Sequence, residues 1–208
     1  MTSISFPKLT EINDDLHISG ADGLLSLNFP ELAIVQSNLA IIDVPSLTTL
    51  NIFRRLKFVR YTSIINTGLQ SLDWDGLVPS VTMTELFISN NTKMDVVSLP
   101  AVRNITGGGL YIYGNGRTKL YSEVQEVNFL QVTGVAGWLN GTNGFDSLQF
   151  SANRGASTPE YKIWDNDFDT LSFQSLEYTN GSIDIHDNPN LAGKSVYFLC
   201  FPFLVWIY

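Results

Sequence analysis

A short apolar triplet recurs along this chain at a nearly fixed interval, and that interval limits what the chain can fold into. The triplet has the form Leu-x-Ile: Leu16-His17-Ile18, Leu39-Ala40-Ile41, Leu86-Phe87-Ile88, Leu110-Tyr111-Ile112, Tyr161-Lys162-Ile163 and Ile183-Asp184-Ile185. Degenerate copies stand at Ser63-Ile64-Ile65 and Gly137-Trp138-Leu139. Taking the last residue of each, the intervals are 23, 24, 23, 24, 27, 24 and 22, so eight copies run at a period of about 24. A second apolar position follows six residues later, at Leu24, Leu47, Met94, Phe145 and Leu191. A third often follows three after that, at Leu27, Leu50, Val97 and Leu148. Next comes a corner signal: FPKL at 6–9, FPEL at 29–32, LPAV at 99–102 and, weakly, FRRL at 53–56. Between about 121 and 160 the repeat is irregular.

No segment keeps the 3.6-residue period of a helix. Period-2 triplets rich in β-branched and aromatic residues, closed by Pro, Gly and Asn, predict short strands. One coil of this length cannot bury its apolar side alone, but stacked coils can, with equivalent strands forming parallel sheets along the axis. The expectation is a mainly β protein: a right-handed parallel β-solenoid of leucine-rich-repeat type, about eight coils of about 24 residues over 1–191, followed by an apolar tail, 192–208.

The frequent Asn three residues after the strand Ile fits the same frame. Asn91, Asn115, Asn166 and Asn188 follow Ile88, Ile112, Ile163 and Ile185. An inward Asn at a solenoid corner can bond backbone groups left unpaired by the turn, and stacked Asn residues can bond one another. The stretch GSIDIHDNPNL (181–191), with His186 and Asp187 beside Asn188, is therefore read as an ordinary corner and not as a catalytic site.

Composition narrows the function classes. The net charge is −8 among 208 residues. That argues against nucleic acid or an anionic membrane as partner, since both require clustered Lys and Arg. Cys200 stands alone, so neither an internal disulfide framework nor a Cys-based metal site is available. The start, MTSISFPKL, lacks the basic and apolar regions of a secretory signal.

Taken in order, the FPxL…L-x-I coils, NTGLQSLDWDGL (66–77), LFISNNTKM (86–94), SLPAV (98–102) and GGGLYIYGN (107–115) resemble fungal GPI-anchored cell-wall organisation glycoproteins, of the receptor L-domain-like group. The resemblance covers roughly residues 3–191. It implies a secreted or cell-surface N-glycosylated solenoid that supports wall assembly without enzymatic chemistry, located in the cell wall or on the outer face of the plasma membrane. A signal peptide, a cysteine-bearing cap and a Ser-rich stalk before the GPI signal are missing, so the chain reads as an internal portion of such a protein.

Four sequons, beginning at Asn90, Asn104, Asn140 and Asn180, fall just after or just before strand signals, where exposed corners tolerate glycan. The acidic run WDNDFDTL (164–171) is the feature that would fit a carboxylate pair in a pectinase-like hydrolase or lyase on a parallel β-helix, which is the alternative function. Against it, Asn166 is in the corner register and Asp165 and Asp167 merely flank it. No metal or small-molecule cofactor is expected. With the Leu and Ile flanks turned inward, the middle and following residues turn outward. That places Phe87, Tyr111, Tyr113, Trp138 and Trp164 on one sheet face, as a candidate surface for wall polysaccharide or for a wall or surface protein. The bland alternative is cross-strand packing that only strengthens the sheet. The tail SVYFLCFPFLVWIY reads as a GPI-signal remnant, a cover for the open end of the solenoid, or a gene-assignment error, of which the last is favoured.

Overall fold

A computed structural model describes residues 1–74, 80–115, 118–122, 126–138, 160–164, 166, 171–173, 182–189, 196–198 and 205–207. The regular structure among them is all β, and no helix there is long and apolar enough to cross a membrane. The first turn of the solenoid holds β1 (Ser3–Ser5), β2 (Glu11–Ile12) and β3 (Leu16–Ser19). The second holds β4 (Ser26–Asn28) and the long β5 (Ile34–Val44), the third β6 (Thr49–Asn51) and β7 (Phe58–Thr67). The fourth holds β8 (Ser71–Asp73), β9 (Val81–Met83) and β10 (Glu85–Ser89), the fifth β11 (Val96–Leu99) and β12 (Val102–Tyr113). The described residues thus give about five turns almost in full, where eight coils were expected. Further strands continue the stack: β13 (Thr118–Ser122), β14 (Glu126–Thr133), β15 (Val135–Trp138), β16 (Glu160–Trp164), β17 (Leu171–Phe173), β18 (Ser182–His186), β19 (Val196–Phe198) and β20 (Val205–Ile207).

Every pairing is parallel. The main sheet runs β3-β5-β7-β10-β12-β14-β16-β18-β20, with β2 and β9 attached at its side. Its register aligns one residue per turn: Ile18, Ile41, Ile64, Ile88, Ile112, Val132, Ile163, Ile185 and Ile207. All from Ile41 through Ile185 are buried, and so are their companions Leu39, Thr62, Leu86, Leu110 and Leu130. Ile18 is only half-buried, because among the described residues no strand precedes β3 to cover it. β20 pairs with β18 in the same register, so the ladder extends beyond residue 191.

Two copies sit elsewhere than expected. In the third turn the column residue is Ile64, in the copy Thr62-Ser63-Ile64, and Ile65 points outward. A one-residue slip reverses every side chain in a strand, and burying Val59, Thr62 and Ile64 settles the choice. In the sixth turn the copy is Leu130-Gln131-Val132. Gly137 and Trp138 belong instead to β15, in the separate sheet β8-β11-β13-β15. The turn before the sixth column residue is therefore short, from Ile112 to Val132, and the long one follows it, from Val132 to Ile163.

The corners follow from backbone chemistry. Two residues after seven of the column residues the chain enters the left-handed region: Gly20, Asp43, Asn66, Asn90, Gly114, Gly134 and Asp187 have φ from 51° to 73°. Gly, Asn and Asp are the residues that tolerate this conformation. A tight turn follows, in which the N–H groups of Leu24, Leu47 and Met94 donate to the carbonyls of Ala21, Val44 and Asn91. The FPxL signal marks the next corner: Leu9, Leu32 and Leu56 N–H groups donate to the carbonyls of Phe6, Phe29 and Phe53. Proline suits the second position of such turns, as at Pro7 and Pro30.

At the first corner stands the Asn ladder. Asn91 and Asn188 are buried and Asn115 half-buried. Asn91 Oδ1 accepts from the Thr67 N–H at 2.9 Å and the Thr67 hydroxyl at 2.7 Å, while its Nδ2 donates to the Ile64 carbonyl. Asn115 repeats this one turn on: Oδ1 accepts from the Asn91 N–H at 3.0 Å and Nδ2 donates to the Ile88 carbonyl. Asn166 and Asn188 form a second run, with Asn166 N–H and Nδ2 both donating to Asn188 Oδ1. Each Asn thereby satisfies backbone groups that the bend has removed from the strand ladder.

Candidate functional site

The outer face of the main sheet carries three parallel rows, because residues i, i+2 and i+4 of each strand share a face. The first row is Asp15, Asn38, Tyr61, Glu85, Gly109 and Phe129. The second is His17, Ala40, Ser63, Phe87, Tyr111, Gln131, Lys162 and Asp184. The third is Ser19, Ile42, Ile65, Ser89, Tyr113, Thr133, Trp164 and His186. Most of these side chains are half-buried by their neighbours, and Ser89 is buried.

The aromatic rings stand on edge. Phe87 and Tyr111 stack with centroids 4.2 Å apart and planes 9° from parallel. Adjacent strands are about 4.8 Å apart, so these ring normals lie along the solenoid axis and each ring covers one face of the other. The outer face of the Phe87 ring looks toward Ser63, whose side chain is short. Further along, Trp164 stacks on His186 at 5.1 Å and 17°, and Lys162 Nζ lies 5.8 Å from the Trp164 ring centroid. The Arg60 guanidinium lies 5.8 Å from the Tyr61 ring centroid.

The run Gly107-Gly108-Gly109 shapes the middle of this face. A Cβ on Gly109 would come within 2.6 Å of the Phe129 carbonyl oxygen and 2.9 Å of Tyr111 Cε2. One on Gly108 would meet the Thr84 carbonyl oxygen at 2.7 Å and Glu85 Oε2 at 2.9 Å. Side chains from both neighbouring strands therefore close in over β12. Desolvation in this setting holds the Glu85 carboxyl above its ordinary value, and desolvation together with the Glu85 charge pushes the Tyr111 phenol up. Asp15 is different: the Asn38 backbone N–H donates to it at 2.9 Å and holds its carboxyl below the usual value.

The structure brings together Phe87, Tyr111, Tyr113 and Trp164 on this face, as the periodicity predicts. Trp138 is not among them, since β15 belongs to the other sheet. The charged and polar members of the site, Tyr61 and Glu85, were missed. The signal was present for Glu85, which precedes Leu86 in the outward phase; for Tyr61 it emerges only once the third copy is placed at Thr62-Ser63-Ile64. Among the sequons, Asn90 is exposed at a left-handed corner. Asn104 lies inside β12, paired with β9 and β14 on either side, and is half-buried, so it is not at a corner. Asn140 and Asn180 lie outside the described residues, as do the acids of the 164–171 run, Asp165, Asp167 and Asp169. His186 Nδ1 is 2.9 Å from Asp187 Oδ2 and Nε2 is 3.8 Å from Asp184 Oδ2. Among the described residues no group of three or more His, Cys, Asp or Glu side chains is placed to hold a metal ion.

The family model of the receptor L domain matches residues 8–133, more than half of the chain. The match spans Tyr61, Glu85, Phe87, Tyr111 and Tyr113 and ends at Thr133. No match was found among curated proteins or among solved structures.

Proposed function

The chain belongs to the receptor L domain family, and from that premise we propose that it is a non-enzymatic cell-surface glycoprotein module that binds through the outer face of its main sheet. The family is in general one of extracellular, non-catalytic domains that bind a ligand or partner. The finer reading places this chain among fungal wall-organising glycoproteins held at the cell surface by a GPI anchor, with wall polysaccharide or a wall or surface protein as partner. One observation carries the choice of face. Four aromatic residues, Phe87, Tyr111, Tyr113 and Trp164, are held half-exposed there by strands whose opposite sides are locked into the core. Large rings on a rigid scaffold offer contact area with little conformational entropy left to lose.

The test compares the chain with a variant carrying both Tyr111→Ala and Trp164→Ala. Retention on insoluble wall material is measured beside circular dichroism. Loss of retention with an unchanged spectrum is the expected result; full retention with an intact fold would remove the outer face from the function. Release of reducing ends from wall polysaccharide by the unaltered chain would favour the hydrolase alternative. Glycan is expected at Asn90, whose corner is open to solvent, and at Asn140 and Asn180, whereas Asn104, paired on both sides within β12, is expected to be the poorest acceptor. Peptide mapping of the secreted protein reads the occupancy of each.

A further inference from the structure

The net charge of −8 hides one basic strip. Of the 12 Lys and Arg residues in the chain, Arg54, Arg55, Lys57 and Arg60 fall within residues 54–60. All four are exposed. They run along the third turn, from the corner where the Leu56 N–H donates to the Phe53 carbonyl into the start of β7. Arg55 is matched by Glu31 of the second turn at 3.0 Å. Arg54, Lys57 and Arg60 have no ion pair among the described residues. Between Lys57 and Arg60 stands Phe58, 38% exposed and on the same side of β7 as Arg60. Ile34 pairs with it on one flank and Thr82, exposed, on the other. The backbone beneath is held firmly: the Lys57 N–H donates to the Ala33 carbonyl at 2.8 Å, and the Lys57 carbonyl accepts from the Thr82 N–H. The strip is one turn wide, since the same corner carries Pro30 and Glu31 in the second turn and Pro100 and Ala101 in the fifth.

We infer that Arg54, Lys57, Phe58 and Arg60 form a second contact surface, for an acidic polysaccharide whose sugar rings carry carboxylates. The inference is independent of the outer face of the main sheet, which the strip borders where the Arg60 guanidinium meets the Tyr61 ring. Three cations without local counter-charges make a positive patch that attracts an anion, although the molecule as a whole is negative. Arg54 and Arg60 present planar forks that match a carboxylate with two parallel bonds. Phe58 decides for a sugar over an acidic peptide. Side chains two apart on one face of a strand stand about 6.7 Å apart. A sugar ring lying with its CH face on Phe58 therefore brings a carboxylate on that ring within reach of Arg60, and Thr82 places a hydroxyl at its edge. Duplex nucleic acid or an anionic membrane requires a broader basic field than a strip one turn wide.

The experiment titrates the full chain calorimetrically with three probes: an oligogalacturonate, a neutral β-glucan oligosaccharide of the same length, and a polyglutamate peptide. The oligogalacturonate is expected to bind tighter than polyglutamate, with an affinity that falls as salt is raised. Replacing both Lys57→Gln and Arg60→Gln is expected to weaken it about tenfold, while any binding of the neutral oligosaccharide stays as it was. Phe58→Leu keeps an apolar side chain and removes the ring; it is expected to weaken the oligogalacturonate and to leave polyglutamate unchanged. Urea unfolding of each variant checks that these exposed positions leave the fold intact. Equal oligogalacturonate affinity in the double variant overturns the inference, as does the absence of binding by either acidic probe. If polyglutamate binds as tightly and Phe58→Leu weakens neither, the strip serves an acidic protein segment and the sugar assignment is wrong. If only the neutral oligosaccharide binds, and the double variant binds it equally well, the strip is no contact surface and the outer face of the main sheet still stands.

Discussion

At the scale of single residues, the polar groups inside the solenoid differ sharply in what they contribute. Asn91 accepts and donates across three turns, so Asn91→Ala should cost about 1–3 kcal/mol by leaving the Thr67 N–H and the Ile64 carbonyl unpaired. Urea unfolding reads this directly, and an unchanged midpoint would mean that the ladder only shapes the loop. Thr62 is the opposite case. It occupies the position that Leu39 and Leu86 hold in neighbouring turns, and among the described residues its buried hydroxyl has no hydrogen-bond partner. Thr62→Val keeps the shape and removes the orphan group, so it should stabilise the fold by about 1 kcal/mol. Glu85 gives a pH signature. Its folded carboxyl titrates above the ordinary value of 4.5, so protonation favours the folded state. Stability from this group is greatest below that ordinary value and is lost as pH rises through the folded midpoint. Glu85→Gln should therefore unfold at higher urea than the unaltered chain near neutral pH, with the difference closing in acid.

At the scale of elements, the long strands β5 and β12 pass from one side of the solenoid to the next through a shift in register, between Val35 and Asn38 and between Ile105 and Gly109. Extra residues, one in β5 and two in β12, bend a strand and re-aim its side chains. In β12 the bend lies at the glycine run, and the neighbouring strands pack over it. Gly109→Ala would push a methyl into the Phe129 backbone, which cannot retreat without opening the pairing of β12 with β14. We expect a loss of about 1–3 kcal/mol, with weaker hydrogen-exchange protection in β14 than in β5. If β14 keeps its protection, the strand yields more easily than this packing implies.

On the scale of the whole molecule, a solenoid is held together turn by turn, so its stability is nearly a sum of neighbouring interfaces. The first turn has a neighbour on one side only among the described residues, and Ile4, Leu9, Ile12, Leu16 and Ile18 are half-buried there. From the second turn on, Leu39, Ile41, Val59, Ile64, Leu86 and Ile88 are sealed. Hydrogen exchange should therefore be fastest in β1 to β3 and slow abruptly at β5, where opening requires breaking two interfaces. Uniform protection from Ser3 onward would show that the turns unfold as one unit.

The sequence by itself determined the parallel stack, the burial of one column of Ile residues and the Asn corner, because each is a local requirement repeated at one period. Ile88, Asn90 and Asn91 say the same thing as Ile112, Gly114 and Asn115: strand, left-handed step, inward amide. The left-handed step alone does not place the sixth turn, since Val132-Thr133-Gly134 and Leu139-Asn140-Gly141 both have the form of Ile112-Tyr113-Gly114. Only the tertiary structure decided which residues meet across turns. Turn lengths vary, so register cannot be counted along the chain. It is fixed by which side chains fill the interior and by how close two strands can come, as at Gly109. That is why Trp138 left the aromatic face. It is also why Tyr61 and Glu85, each unremarked in its own strand, came into one row across the sheet.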